Sequence, residues 1–211
     1  MSKPKIILFN FNGTIVDTKS LAMDIYNEIA EKQGYKKINK EEIPYLSTLS
    51  IRERCKRLNV PIYKMPLVGI TIKERYQQYI ANLKSVAGIN EVIHELKRKE
   101  FRLGFLTTNS RVVTNQFLSN NAINIFDYAH YSFNPFSKAK DISSFLKNNK
   151  LNRNEVIYIG DELRDIKAAK KNQLYCIAAT WGYDSVELLN TGHADYIAQQ
   201  PKDILNILSG G

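Results

Sequence analysis

Near its amino end the chain reads Ile6-Ile7-Leu8-Phe9-Asn10-Phe11-Asn12-Gly13-Thr14-Ile15-Val16-Asp17, an apolar run that ends in a polar turn. The run predicts a buried strand over residues 5–9, and the Asn-Gly-Thr sequence predicts a turn after it. Asn10 and Asn12 lie two residues apart on an extended segment, so their side chains should point the same way. Ligands of open α/β sheets bind at the carboxyl ends of strands, where this turn would lie. A plain turn is the alternative, because Asn tolerates a positive φ and Gly prefers one.

The sequence after Gly88 alternates between helical and strand patterns. It predicts helices over residues 89–99, 112–120, 138–147, 162–171 and 201–208. It predicts strands over residues 102–106, 127–132, 155–159, 175–179 and 196–197. Strands separated by helices of this length are typical of an α/β fold with a doubly wound parallel sheet and a Rossmann-like core.

Residues 18–84 show no strand pattern and are predicted to be helical. Four helices are expected, over residues 21–30, 41–46, 51–58 and 72–83, with a loop over residues 60–69 that contains Pro61 and Pro66. We therefore expect a core domain made of residues 1–17 and 85–211. A small helical domain of residues 18–84 would be inserted after the first strand.

The chain has 211 residues, of which 44% are hydrophobic, enough for one core with an insertion. No apolar run approaches the roughly 20 residues that span a bilayer, and the amino terminus leads into a strand rather than a cleavable leader. We therefore expect a cytoplasmic protein with no membrane partner. Cys55 and Cys176 are isolated, which indicates two buried thiols rather than a zinc site or a disulfide.

The net charge of +9 is compatible with nucleic acid, an anionic membrane surface or an anionic small molecule as partner. The basic residues occur in short groups beside predicted helices and are partly interleaved with glutamates, as on solvated helix faces. No helix-turn-helix, aromatic RNA-binding signature or long basic arm is present. The sequence therefore argues against a nucleic-acid partner.

Polar residues follow two later strands and open one later helix. Thr107 and Asn109 can hydrogen-bond anionic oxygens beside a helix N-terminus, although helix capping is the alternative role. Lys138, after Pro135-Phe136-Ser137, opposes the helix dipole unless its ammonium faces an anion, and a solvated lysine is the alternative. Asp161 and Asp165 can hold Mg²⁺ through oxygen ligands and waters, although acids also favour helix N-termini. An unpartnered carboxylate after a buried strand is costly, which favours the metal site.

Taken in order, these positions resemble the four motifs of the haloacid dehalogenase-like superfamily, especially its phosphoglycolate phosphatase-like branch. The matching positions are Asn10 to Asp17, Thr107, Lys138, Gly160-Asp161 and Asp165, and the later Trp181-Gly182 and Ala194-Asp195-Tyr196 are similar to that branch too. The resemblance covers the whole chain and places the helical insertion where that superfamily has its cap domain.

The resemblance implies Mg²⁺-dependent hydrolysis of a phosphomonoester through an aspartyl-phosphate. It implies a nucleophilic carboxylate at position 10 and a general acid and base at position 12, yet both positions are asparagine here. It further implies that Thr107 and Lys138 hold the transferring phosphoryl oxygens. Asp161, helped by Asp165, would hold Mg²⁺ together with residue 10 and the main-chain carbonyl of residue 12. Asp17 is expected to support the loop.

The two amides predict a crippled or absent activity. Asn10 has no anionic oxygen to attack phosphorus and removes a charged Mg²⁺ ligand, and Asn12 cannot donate and recover a proton at neutral pH. Weakened Mg²⁺ binding is therefore expected. Binding of a phosphorylated small molecule should persist, because two charges that repel a phosphate dianion are absent.

Three hypotheses follow. The chain is a natural pseudoenzyme that binds a phosphorylated metabolite or a protein partner, or an active phosphoglycolate phosphatase-like hydrolase carrying engineered Asp-to-Asn substitutions, or a non-catalytic protein-interaction module. Candidates to meet an anionic substrate lie on the third helix of the insertion, although a solvated face is the alternative. These candidates are Arg52, Arg54, Lys56 and Arg57.

Overall fold

Six short strands form one parallel sheet in the computed structural model, which describes residues 5–134 and 136–209. The strands are β1 (Ile6–Asn10), β2 (Arg102–Thr107), β3 (Tyr128–Tyr131), β4 (Val156–Gly160), β5 (Tyr175–Ala179) and β6 (Tyr196–Ala198). Their order across the sheet is β3-β2-β1-β4-β5-β6, and every neighbouring pair is parallel. The predicted α/β class with a doubly wound parallel sheet is confirmed.

Alternate side chains of β1 enter two different cores, as the period of two in a strand requires. Ile7 and Phe9 belong to one core, and Ile6 and Leu8 belong to the other. The first core is covered by α5 (Ile89–Arg98), α6 (Arg111–Asn120) and α10 (Asp203–Ser209), and the second by α7 (Lys138–Asn148) and α8 (Leu163–Lys171). A buried strand with helices on both faces explains the continuous apolar run near the amino end.

Residues 18–84, here called the helical segment, lie between β1 and α5. They contain α1 (Lys19–Gln33), α2 (Ile43–Ser47), α3 (Ile51–Arg57) and α4 (Met65–Tyr76), with 3₁₀ turns at Lys40–Glu42, Ile62–Lys64 and Ile80–Asn82. The segment has a hydrophobic cluster of its own, formed by Tyr26, Ala30, Leu46, Cys55, Leu58, Val60 and Val68. Its division from the core as a separate domain stays a prediction.

Two sequence predictions in the helical segment are wrong. The loop expected over residues 60–69 is largely helical, because α4 already begins at Met65. Pro66 lies in the first turn of α4, where the missing N–H has no intrahelical partner to lose, so this proline starts the helix instead of breaking it. The helix expected over residues 72–83 ends at Tyr76, and only the 3₁₀ turn Ile80–Asn82 follows.

The remaining predicted elements agree with the structure within three residues at each end. One helix, α9 (Val186–Asn190), was missing from the prediction. Pro135 and residues 1–4 and 210–211, which the sequence assigned to the turn before Lys138 and to the core domain, lie outside the described residues. In the part of the chain that the structure describes, no helix is long and apolar enough to cross a bilayer.

Candidate functional site

The carboxyl ends of three adjacent strands bring the candidate residues together. Asn10 ends β1, Thr107 ends β2, and Asp161 follows directly after β4. The chain passes from β1 to β2 on one side and returns to β4 on the other, so β1 lies where the direction of winding reverses. The sheet leaves a crevice at such a point, and ligands of open α/β sheets bind there.

The side-chain amide of Asn10 lies at the centre of this crevice and is 7% exposed. Its Nδ2 donates to the main-chain oxygen of Asn12 at 2.9 Å and to Oδ1 of Asp161 at 2.8 Å. Its Oδ1 accepts a hydrogen bond from Nζ of Lys138 at 3.1 Å. Only this orientation satisfies all three partners, because a flipped amide would set oxygen against two oxygens and an NH₂ group against the ammonium.

Asp161 is fully buried and has a partner for each carboxylate oxygen. Oδ1 also accepts from Oγ1 of Thr14 at 2.7 Å, and Oδ2 accepts from the backbone N–H of Tyr183 at 3.0 Å. Burial, and then the nearby carboxylates of Asp165 and Glu162, raise the pKa of Asp161 to about 7. The hydrogen bonds oppose that rise because they stabilise the charged form.

Asp165 faces protein donors on both oxygens. Oδ1 accepts from the ammonium of Lys138 and from the hydroxyl of Tyr158, and Oδ2 accepts from the backbone N–H groups of Asp161 and Glu162. Four hydrogen bonds occupy roughly the full acceptor capacity of a carboxylate. Asp165 therefore holds Lys138 and the start of α8 in place, and the ammonium of Lys138 faces this carboxylate.

Two glycines allow the chain to pack against Asp161. A Cβ added to Gly13 or to Gly182 would overlap the Asp161 carboxylate. Gly13 also has a φ of 84°, which glycine adopts at little cost. The Asn-Gly turn of the opening stretch is thus both a turn and a close approach to the buried acid.

Asn12 and Asn109 form a pair of side-chain amides. Nδ2 of Asn109 donates to Oδ1 of Asn12 at 2.9 Å, and the reverse bond measures 3.5 Å. The Thr107 hydroxyl accepts from the backbone N–H of Asn109 at 3.1 Å, while Ser110 caps α6 through a bond to the N–H of Val113. Capping in this loop is therefore the role of Ser110, and the buried Asn109 contacts the crevice through its hydrogen bonds to Asn12.

A cavity of about 360 Å³ extends from the strand ends into the helical segment, lined by Asn10, Asn12, Thr107, Lys138 and side chains of α1 to α4. Of the four cations proposed on α3, only Arg54 lines it. Arg54 forms an ion pair with the buried Asp184, and Arg57 pairs with Glu42. Arg52 and Lys56 are exposed.

Several contacts of the site could not be read from the sequence. The Tyr183 hydroxyl shares hydrogen bonds with the hydroxyls of Thr18 at 2.7 Å and Tyr76 at 2.6 Å. Lys19 donates to the main-chain oxygen of Gly182 at 2.9 Å. These contacts join the helical segment to the loop after β5, and the only nearby sequence signal was the Trp181-Gly182 pair. Asp17 is exposed, and its backbone N–H bonds the oxygen of Lys84.

The magnesium ion that the resemblance implies does not fit the residues present. Among the described residues, no group of three or more His, Cys, Asp and Glu side chains is arranged to hold a metal ion. The Asp161 Oδ1 and Asn12 carbonyl oxygens, two ligands expected for Mg²⁺, both accept hydrogen bonds from the Asn10 amide. The NH₂ group thus bridges the oxygens that a cation would bridge.

The sequence profile of the haloacid dehalogenase-like hydrolases matches residues 7–179 of the chain. A phosphoglycolate phosphatase from Synechococcus elongatus is 25% identical over 204 residues, which cover 96% of each chain. The pyrophosphatase PpaX from Bacillus velezensis is 23% identical over an aligned length of 217, which covers 95% of this chain and 94% of its own.

Solved structures share the fold over nearly the whole chain. A predicted phosphatase from Clostridium acetobutylicum matches with a TM-score of 0.79 at 22% identity, covering 99% of this chain and 100% of its own. A haloacid dehalogenase-like family hydrolase from Streptococcus pneumoniae matches with a TM-score of 0.78, also at 22% identity, covering 98% and 99%. The fold of this chain therefore occurs in other solved structures.

Proposed function

The chain belongs to the haloacid dehalogenase-like hydrolase family, and from that premise we propose that it binds the phosphate group of a phosphorylated small molecule without hydrolysing it at ordinary enzymatic rates. The curated relatives are named as phosphatases of phosphoglycolate and of pyrophosphate. The strand-end pocket of this chain keeps polar groups suited to a phosphate. We propose Thr107, Asn109 and Lys138 as its phosphate-binding residues.

The observation that carries this proposal is the hydrogen bonding of the Asn10 amide. Its nitrogen is occupied by Asp161 and the Asn12 carbonyl, and its oxygen is occupied by Lys138. A neutral amide oxygen that accepts from an ammonium is a poor nucleophile toward phosphorus. Position 10 therefore lacks the carboxylate nucleophile that formation of an aspartyl-phosphate needs.

Asn12 offers no substitute for an acid and base. Its amide is paired with the amide of Asn109 and does not titrate near neutral pH. Loss of general acid–base catalysis alone costs roughly 10²- to 10⁴-fold in rate. What remains is positioning and electrostatic stabilisation, which suffices to hold a phosphate but supports only slow turnover.

Charge balance supports binding without a metal ion. Aspartates at positions 10 and 12 would add two negative charges to a crevice that already contains Asp161 and Asp165, and one Mg²⁺ ion would cancel them. With asparagine at positions 10 and 12, the crevice has the same net charge without an ion as it would have with two aspartates and one Mg²⁺. A phosphate dianion would then meet Lys138, the Thr107 hydroxyl and the Asn109 amide without the repulsion that two further carboxylates produce.

The test combines binding and turnover. Titration calorimetry with inorganic phosphate in the presence of EDTA should show binding by the chain, and p-nitrophenyl phosphate with Mg²⁺ should show hydrolysis at least 10³-fold below that of the double variant Asn10→Asp with Asn12→Asp. Lys138→Met and Thr107→Val should each weaken phosphate binding at least fivefold, whereas the exposed neighbour variant Lys140→Met should not.

Hydrolysis by the unaltered chain at an ordinary enzymatic rate would overturn the proposal. Recovery of turnover only in the double variant would show that asparagine at positions 10 and 12, whether inherited or engineered, is what inactivates an otherwise complete site. Absence of phosphate binding in both proteins, with circular dichroism showing that both are folded, would favour the protein-interaction module instead.

A further inference from the structure

The cavity changes character along its length. At the strand ends it is polar, but inside the helical segment its walls are built from apolar side chains that α1 to α4 direct toward one another. The apolar lining includes Met23, Leu46, Met65, Val68 and Ile72, with Phe136 on the core side. Its volume of about 360 Å³ lies in the range of small-ligand pockets. Such a wall stabilises a ligand by removing apolar surface from water.

The cations along the cavity already have acceptors. Among the residues that the structure describes, five cationic side chains line it: Lys19, Arg54, Lys73, Lys138 and Arg164. Arg54, Lys138 and Arg164 each form an ion pair with an acid. Lys19 and Lys73 donate to main-chain oxygens. A second anionic group on the ligand would therefore compete with Asp184 for Arg54 and with Glu162 for Arg164. The oxygens that Lys19 and Lys73 bond are neutral, so these two lysines keep their charge.

Burial strengthens this conclusion for Arg54, the cation of α3 that reaches the cavity. Its guanidinium bonds the main-chain oxygens of Leu46 and Ser47 in addition to the carboxylate of Asp184, which is 6% exposed. Diverting Arg54 to a ligand would leave Asp184 without its counter-ion in a buried place, which is costly. Arg54, one of the four cations that the sequence offered for an anionic substrate, thus forms a structural ion pair with Asp184.

We propose that the ligand of this site is a phosphomonoester with an uncharged apolar body, an alkyl chain or an aromatic ring, which enters the helical segment. The inference rests on the phosphate binding proposed above and adds the class of the ester group. This ligand class differs from the compounds for which the relatives are named. In both phosphoglycolate and pyrophosphate, the group beyond the phosphate is itself anionic.

The experiment compares inorganic phosphate, methyl, butyl and hexyl phosphate, phosphoglycolate and pyrophosphate by titration calorimetry in EDTA. We expect affinity to rise about two- to fourfold per methylene as the chain lengthens, since each buried methylene contributes about 0.8 kcal/mol. Phosphoglycolate and pyrophosphate should bind no more tightly than methyl phosphate.

A pair of variants on α4 locates the apolar body. Met65 lines the cavity, whereas Leu67, two residues later on the same helix, is 60% exposed and lies outside the lining. Met65→Glu should lose at least tenfold in hexyl phosphate affinity while its inorganic phosphate affinity stays within twofold. Leu67→Glu should change neither value, and circular dichroism checks that both variants are folded.

Each outcome bears on one proposal or on both. If inorganic phosphate binds but chain length has no effect, the apolar-body inference is wrong and the proposed function stands. If phosphoglycolate or pyrophosphate binds at least tenfold more tightly than butyl phosphate, the inference is wrong as well. If the chain binds none of the six compounds, both proposals fail. Should Met65→Glu not fold, the chain-length series on the unaltered protein decides alone.

Discussion

At the scale of single residues, Asn10 differs from an acid in having a donor as well as an acceptor. The amide holds Asp161 and the Asn12 carbonyl together through hydrogen atoms, where a carboxylate would repel both. On the opposite side, Lys138 donates to Oδ1 of Asn10 and so determines the orientation of the amide. A single change of the amide to a carboxylate therefore alters the metal chemistry of the crevice without altering its shape.

Asn10→Asp should create a Mg²⁺ site. The variant sets two buried carboxylates against each other, so we expect it to unfold at a lower temperature than the unaltered chain in EDTA. Added Mg²⁺ should restore the unfolding temperature, because a divalent cation would offset the repulsion between the two carboxylates. The unaltered chain should show no such shift. Thermal unfolding and calorimetry at a fixed pH near 7 measure both effects.

Asn206→Asp, at an exposed position on α10, adds the same charge far from the crevice and serves as the control. It should show no Mg²⁺ effect. Binding of Mg²⁺ by the unaltered chain with an affinity equal to that of Asn10→Asp would contradict the assignment of the amide as a substitute for the ion.

Gly13, in the opening turn, can be compared with Gly88, a glycine that has nearly the same φ. Gly13 and Gly88 have φ values of 84° and 83°, but only at Gly13 would a Cβ meet other atoms, those of Asp161 and Tyr183. Gly88→Ala should cost about 1 kcal/mol from backbone strain. Gly13→Ala should cost a further 1–3 kcal/mol or more from overlap. Urea unfolding of both variants gives the difference, and equal losses would refute the close approach.

At the scale of secondary-structure elements, the strands were the best predicted part of the fold. A strand buried on both faces gives a continuous apolar run, as in β1, β2, β4 and β5, and four such runs combined with helical patterns leave few alternatives to a parallel sheet. The helical segment was predicted less well. Its prolines predict a loop over residues 60–69, although Pro66 lies in the first turn of α4, where proline costs little.

The start of α4 provides an element-scale prediction. Pro66→Ala should change stability by less than about 1 kcal/mol, because no hydrogen bond depends on the proline. Ile70→Pro, in the middle of the same helix and 44% exposed, should cost about 3 kcal/mol or more. Ile70→Ala controls for the lost side chain. Far-ultraviolet circular dichroism during urea unfolding measures all three, and tolerance of Ile70→Pro would restore the loop prediction.

The sequence predicted which residues lie at the candidate site, but it did not predict which side chains they contact. Polar residues at the ends of parallel strands must meet at one edge, so Asn10, Thr107 and Asp161 could be placed together from the sequence alone. The partners of Asn12 and Arg54 could not. Their contacts join segments 97 and 130 residues apart, and nothing local in the sequence specifies such a contact.

At the scale of the whole molecule, the helical segment is joined to the core by polar contacts on the loop after β5. Arg54 of α3 pairs with Asp184, and the Asp184 carboxylate also accepts from the backbone N–H of Leu163 at 2.7 Å. The N–H of Ser185 bonds the main-chain oxygen of Ser47 at 3.0 Å. Burial raises the pKa of Asp184, and the Arg54 cation opposes that rise. This ion pair therefore joins α3 of the helical segment to the loop after β5 in the core.

Arg54→Gln should weaken the contact between the helical segment and the core. Removing one partner of a buried ion pair typically costs about 3–5 kcal/mol, and the partial exposure of the Arg54 side chain reduces our expectation to about 2–4 kcal/mol. Urea unfolding measures the loss, and hydrogen exchange should rise in α3 before it rises in β1. Arg52→Gln, exposed on the same helix, should stay within about 0.5 kcal/mol.

The double variant Arg54→Gln with Asp184→Asn decides whether the unpaired charge is the cause of that loss. A neutral amide at position 184 no longer needs a counter-ion, so the double variant should be more stable than Arg54→Gln alone. It should also recover the hydrogen-exchange protection of α3. If the two substitutions instead add their separate losses, the contact between segment and core depends on packing around Arg54, and its ion pair with Asp184 contributes little.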